Sequence, residues 1–165
     1  MLRERLPKKH LPTAIRQNLN LESAVITVAI VGSVFLSGCN RYNEMHLQAK
    51  RAEISSNLSS IKEALNTHNA EHGEYVEAAP HPTGASGPGT RPWADGNEGF
   101  ETIGWRPEGD TRGTYSVSIR QVNSEDPQGD FVVTGICDVD GDGVFATYTA
   151  TKSIDPVMVT DNDIY

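Results

Sequence analysis

Cysteine is nearly missing from this chain. Only Cys39 and Cys137 occur, far apart and in different contexts, which excludes a disulfide framework and leaves no metal-ligand spacing. Nor is there an apolar run of the roughly 20 residues that a comfortable transmembrane helix needs. The run Ala24–Leu36 (AVITVAIVGSVFL) falls short of that length, and extending it to Leu19–Cys39 takes in Asn20 and Glu22. No serine has nucleophile-elbow context, no glycine-rich phosphate loop is present, and the carboxylates fall mainly on loops and wet faces. The expectation is a non-enzymatic protein. Basic residues are scarce outside the N-terminus. Arg3, Arg5, Lys8, Lys9 and Arg16 against Glu4 and Glu22 give residues 1–39 a charge of +3, so the chain's −8 puts −11 on the remainder. Neutralising phosphates takes clustered Lys and Arg, so a nucleic-acid partner is not expected.

What is present starts with a basic leader ending at Arg16, followed by the apolar run. This is the pattern of an export signal or anchor, with the leader staying cytoplasmic and the acidic part crossing. The expected location is therefore the cell envelope, membrane-anchored, with the C-terminal domain in the periplasm or outside the cell. The run closes on Leu36-Ser37-Gly38-Cys39, which resembles the lipobox of bacterial lipoproteins. That resemblance implies a thioether-linked diacylglycerol on Cys39, with Cys39 as mature N-terminus.

Beyond Asn40, Leu47, Ile54, Leu58, Ile61, Leu65, His68 and His72 recur at spacings of three, four and seven, one stripe along an α-helix. Lys50, Arg51, Glu53, Ser55, Ser56, Lys62 and Glu63 belong on the opposite, wet face. Gly73 supplies the stop. From Glu74 to Gly99 the periodicity ends among Pro80, Pro82, Pro88, Pro92 and several glycines, and a loop is expected. Period two then takes over. Thr114–Val122 alternates, Asp130–Val139 is β-rich, and Val144–Thr151 alternates again, the last two joined by Asp140-Gly141-Asp142-Gly143. The division expected is 1–39 leader and apolar segment, 40–73 amphipathic helix, 74–99 Pro/Gly-rich loop and 100–165 antiparallel sheet region, with 40–165 as one domain. The fold class is α+β, a long N-terminal α-helix packed on a small antiparallel β-sheet.

The motif Gln48-Ala49-Lys50-Arg51-Ala52-Glu53 with Asn57-Leu58 and Ile61 resembles the amphipathic half of a type IV pilin helix. Glu71-His72-Gly73-Glu74-Tyr75 is similar to its end. Ile103-Gly104-Trp105-Arg106-Pro107-Glu108-Gly109 with Tyr115-Ser116 resembles the first-strand region of deltaproteobacterial pilins, and Asp138–Gly143 their later hairpin. The resemblance covers about residues 19–152. It implies a pilin-like fold, and a structural or interaction role in a type IV pilus or type II secretion-like system among other pilin-like subunits. It also implies that Glu22 is the assembly glutamate that neutralises a neighbouring subunit's terminal amine. The sequence departs from the family where Gln17 and Asn18 replace the glycine and aromatic residue expected before that glutamate. Two outcomes stay open: a subunit that keeps its apolar segment, or a lipoprotein on Cys39 whose pilin-like head is a monomeric partner-binding module.

Asp138, Asp140 and Asp142 occupy positions one, three and five of a calcium-loop pattern, with Gly143 at six. Thr149 stands where a complete loop has its bidentate glutamate, so the choice lies between weak calcium binding and a plain hairpin turn. His68 and His72, one turn apart, read as a seam-edge pair. Trp93 and Trp105 read as packing anchors and Cys137 as a small buried hydrophobe.

Overall fold

A computed structural model describes residues 13–84, 86–95, 97–120 and 129–165. Helix α1 is assigned Thr13–His72, with its side chains described from Arg41 onward. The chain divides into two compact units, 1–44 and 45–165. The second holds the core.

In that unit the apolar stripe of α1 does what its spacing requires. Ile54, Leu58, Ile61 and Leu65 are fully buried and Leu47 partly so. Each of the four contributes about 1.5–3 kcal/mol relative to exposure. The helix ends at His72, where Gly73 takes φ +83° and donates its N–H to Asn69 O at 2.8 Å. Only glycine enters that region without steric cost.

Five strands follow: β1 (Ala78–His81), β2 (Thr114–Arg120), β3 (Asp130–Cys137), β4 (Ala146–Thr151) and β5 (Val157–Met158). They pair antiparallel in sequence order. A short helix, α2 (Glu98–Thr102), lies between β1 and β2. Along β3 burial alternates strictly, with Phe131, Val133, Gly135 and Cys137 inward. The register sets Tyr115 of β2 and Tyr148 of β4 on either side of Gly135. A Cβ there would lie 2.5 Å from Leu58 Cδ1 and 2.7 Å from Ile54 Cγ2. Glycine thus sets how closely α1 approaches the sheet.

The expected fold class is corrected on two points. The stretch of helix with described side chains is 41–72, which is not N-terminal, and it joins the core from Leu47 onward. The sheet has five strands, with β1 inside the Pro/Gly-rich stretch read as loop. The physical reason is that β1 pairs on one side only, as an edge strand, where the missing N–H of Pro80 goes unneeded. The arrangement is only loosely compatible with the pilin-like class, and that assignment is not kept.

Candidate functional site

Arg51, expected on the wet face, is buried. Its Nη1 donates to the carbonyl of Asn162 at 3.1 Å and to that of Ile164, and its Nη2 to Asn162 Oδ1 at 2.9 Å. The guanidinium carbon lies 4.8 Å from the Tyr165 ring centroid, within cation–π reach. One planar fork thus fastens residues 162–165 to the helix.

Two residues on, Glu53 is the acceptor of a second network. Its Oε1 takes the Thr111 hydroxyl at 2.6 Å and Arg112 N at 3.0 Å, and its Oε2 takes Arg112 Nη1 at 3.0 Å. Because Thr111 donates to Glu53, its oxygen is left to accept from the Tyr115 hydroxyl 3.1 Å away, which itself accepts from Asn57 Nδ2 at 2.8 Å. Burial pushes the Tyr115 phenol up to about 12, against the opposing pull of its hydrogen bonds with Thr111 and Asn57. Cys137 is a free, fully buried thiol, raised to about 12 chiefly by desolvation. A thiol so held is a packing group, not a nucleophile.

Asp138, Asp140 and Asp142 come together on the turn between β3 and β4, with a carboxylate oxygen of each within 4.8 Å of the others. Asp138 is buried and accepts Gly141 N at 2.7 Å and Gly143 N at 3.1 Å, so it organises the turn. Asp140 and Asp142 are exposed. Thr149 sits within β4, paired with Thr134 and Val157, and is held away from this turn by the ladder. His68 and His72 stack with ring centroids 4.2 Å apart, and His72 Nδ1 lies 3.2 Å from His68 O. That geometry matches the seam-edge pair.

The two tryptophans meet, which the sequence alone did not reveal. Arg91 bridges to Thr111 by backbone bonds of 2.8 Å in both directions, and its Nη2 reaches Gly113 O and Thr114 Oγ1. This fixes the segment that carries Trp93. His81 Nε2 lies 2.9 Å from Ala94 O, and the His81 ring meets the Trp93 ring edge-on at 4.5 Å. Trp105 is buried, donating Nε1–H to Ser60 Oγ at 3.0 Å. Its ring stands at 89° to that of Trp93, with centroids 5.2 Å apart. Both rings border a cavity of about 240 Å³, lined also by Asp95, Glu101, Gly104 and Arg106. On the other side of Trp105 and Arg106 a more polar depression of about 430 Å³ is bordered by Glu53, Asn57, Ser60 and the segment 107–110.

Sequence reasoning missed Arg51, Glu53 and Arg91 as anchors, and Trp93 with Trp105 as cavity walls. The only signal was the placement of charges near an otherwise apolar seam. Glu22 and the Leu36-Ser37-Gly38-Cys39 motif lie in the part of α1 whose side chains are outside the described residues. Among the described residues no helix is long and apolar enough to cross a membrane. Compared with known proteins, the chain matches no family model, no curated protein and no solved structure.

Proposed function

We propose that this chain is a non-enzymatic protein anchored at the cell envelope, where its acidic domain has a structural or interaction role in a type IV pilus or type II secretion-like system. The observation that carries the reading is the division at residues 44 and 45. A unit with its own core, tied off by Arg51, follows a segment that is basic and then apolar in sequence. Such a chain suits a head displayed by an anchor. Assignment to a pilus or secretion assembly rests on the quoted sequence resemblance alone, because the fold does not carry it.

A second reading is favoured by one specific motif, Leu36-Ser37-Gly38-Cys39. In it Cys39 is lipidated, the preceding segment is removed, and the domain acts as a monomeric partner-binding module. Weak calcium binding at Asp138, Asp140 and Asp142 belongs to both readings as an accessory, for three carboxylates on one turn repel one another and a cation relieves this.

Cell fractionation tests the anchoring. The full chain is expected in the membrane pellet after a high-salt wash, with its domain cut by protease added to whole cells or to cells whose outer membrane is opened, while the inner membrane stays intact. Recovery in the cytosolic supernatant would refute it.

A further inference from the structure

His68 and His72 close the buried stripe of α1, and their pairing brings two metal-ligating rings together. Side chains at i and i+4 on one helix face stand about 5–6 Å apart at Cβ, a span that two imidazoles close around one ion about 2.0–2.1 Å from each nitrogen. Here the rings lie face to face, with centroids 4.2 Å apart and planes inclined by 15°. Their settings differ. His68 is 8 % exposed and held by packing, whereas His72 is open to solvent. His72 Nδ1 lies 3.2 Å from the His68 carbonyl. A carbonyl oxygen can only accept, so that nitrogen carries the proton and the neutral ring keeps its lone pair on Nε2. Ligating histidines are held in one tautomer by a partner of this kind. Both residues sit near the C-terminal end of α1, where the aligned peptide dipoles favour a cation. The exposed Glu71 and Glu74 lie beside them in the chain, and the −11 carried outside the leader draws cations to the domain.

We infer that His68 and His72 chelate one divalent transition-metal ion, Cu²⁺ more tightly than Ni²⁺ or Zn²⁺, with water completing its coordination. Stacked rings do not aim their lone pairs at a common point. Binding therefore turns the exposed His72 ring out of the stack, while the buried His68 ring stays in place. The ion staples the last turn of α1 beside the stop at Gly73. Calcium and magnesium do not compete, since these hard cations take oxygen ligands. The inference goes beyond the interaction reading and does not depend on it.

Single substitutions separate a chelate from scattered imidazoles. The full-length protein in detergent is titrated with Cu²⁺ and, separately, with Zn²⁺. One tight equivalent of Cu²⁺ is expected, with the splitting of two imidazole nitrogens in its electron paramagnetic resonance spectrum. Zn²⁺ should bind more weakly, and either ion should raise the melting temperature, because the site is assembled only in the fold. His72→Gln should remove the tight equivalent and the rise; the position is exposed, so the variant folds, as circular dichroism checks. His46→Ala is the control for a lone imidazole. His46 is exposed on the same helix, with Tyr42 and Lys50 where a second histidine is needed, so this variant should keep the tight equivalent. Asp140→Asn with Asp142→Asn should keep it too, which sets the site apart from the aspartate turn. No saturable binding, a single coordinating nitrogen, undiminished binding by His72→Gln, or its loss in either control overturns the inference.

Discussion

Arg51 and Asn162, 111 positions apart, are joined by two hydrogen bonds, Nη2 to the side-chain oxygen at 2.9 Å and Nη1 to the backbone carbonyl at 3.1 Å. The first lies on the helix and the second beyond the last strand, so this pair closes the domain. Replacing Arg51 by Met keeps much of the side-chain volume and removes every donor. The expected loss is about 2–3 kcal/mol in urea unfolding, the range for buried hydrogen bonds to a charged group. Lysine should not restore it, since one ammonium cannot reproduce the planar fork. A double-mutant cycle with Asn162→Ala should show coupling, and strict additivity would disprove the link.

Gly135 gives a prediction of opposite kind, from too little room. Adding one methyl forces Leu58 and Ile54 away from the sheet. Gly135→Ala should destabilise by about 1–3 kcal/mol, as overpacking does. Shortening Leu58 to Val in the same chain should recover part of this, although Leu58→Val alone destabilises. Thermal melts of the four proteins make the comparison.

Alkaline pH should unfold the domain early. A tyrosine in water ordinarily titrates near 10.0 and a cysteine near 9.0, and burial pushes Tyr115 and Cys137 both up to about 12 in the fold. The folded state thus holds protons that the unfolded chain releases, and stability falls as pH rises. The stabilising contribution is complete below pH 9 and is lost by the time pH passes through about 12. The melting temperature should decline across that window. Cys137→Ala should move the start of the decline toward pH 10, where the tyrosines raised by burial, Tyr115 and Tyr148, begin to release their protons in the unfolded chain. A melting temperature unchanged up to pH 11 would contradict the burial of both groups.

Calcium at millimolar concentration should release or absorb measurable heat in titration calorimetry, and Asp140→Asn with Asp142→Asn should remove it. These two are exposed, whereas Asp138 holds the turn through Gly141 and Gly143 and is the wrong residue to change. Absence of heat would leave the three aspartates as a turn and nothing more.

The local features of the fold were legible because their signals are local. The seam from Ile54 to Leu65 follows from a 3.6-residue period, the stop at Gly73 from backbone freedom, and β2, β3 and β4 from alternation. What escaped depends on partners remote in sequence. Arg51 has the composition of a wet-face residue, and only the arrival of Asn162 and Ile164 makes its burial favourable. Glu53 is turned inward by Thr111 and Arg112 in the same way. β1 was hidden by Pro80, which reads as a strand breaker until one knows that the strand is an edge. The cavity was invisible because Trp93 and Trp105 each read as ordinary packing residues, and only the fold brings both to the border of one depression.

Whether the domain is displayed by an envelope anchor is read from the intact mass of the protein extracted from membranes, beside a Cys39→Ser variant. One of two masses is expected: an unlipidated chain that retains residues 19–38, which makes a filament or secretion subunit the working answer, or a chain starting at Cys39 with added acyl mass that the variant loses, which makes it a lipoprotein. A chain that lacks residues 19–38 and carries no acyl group would have no anchor, and would refute envelope display.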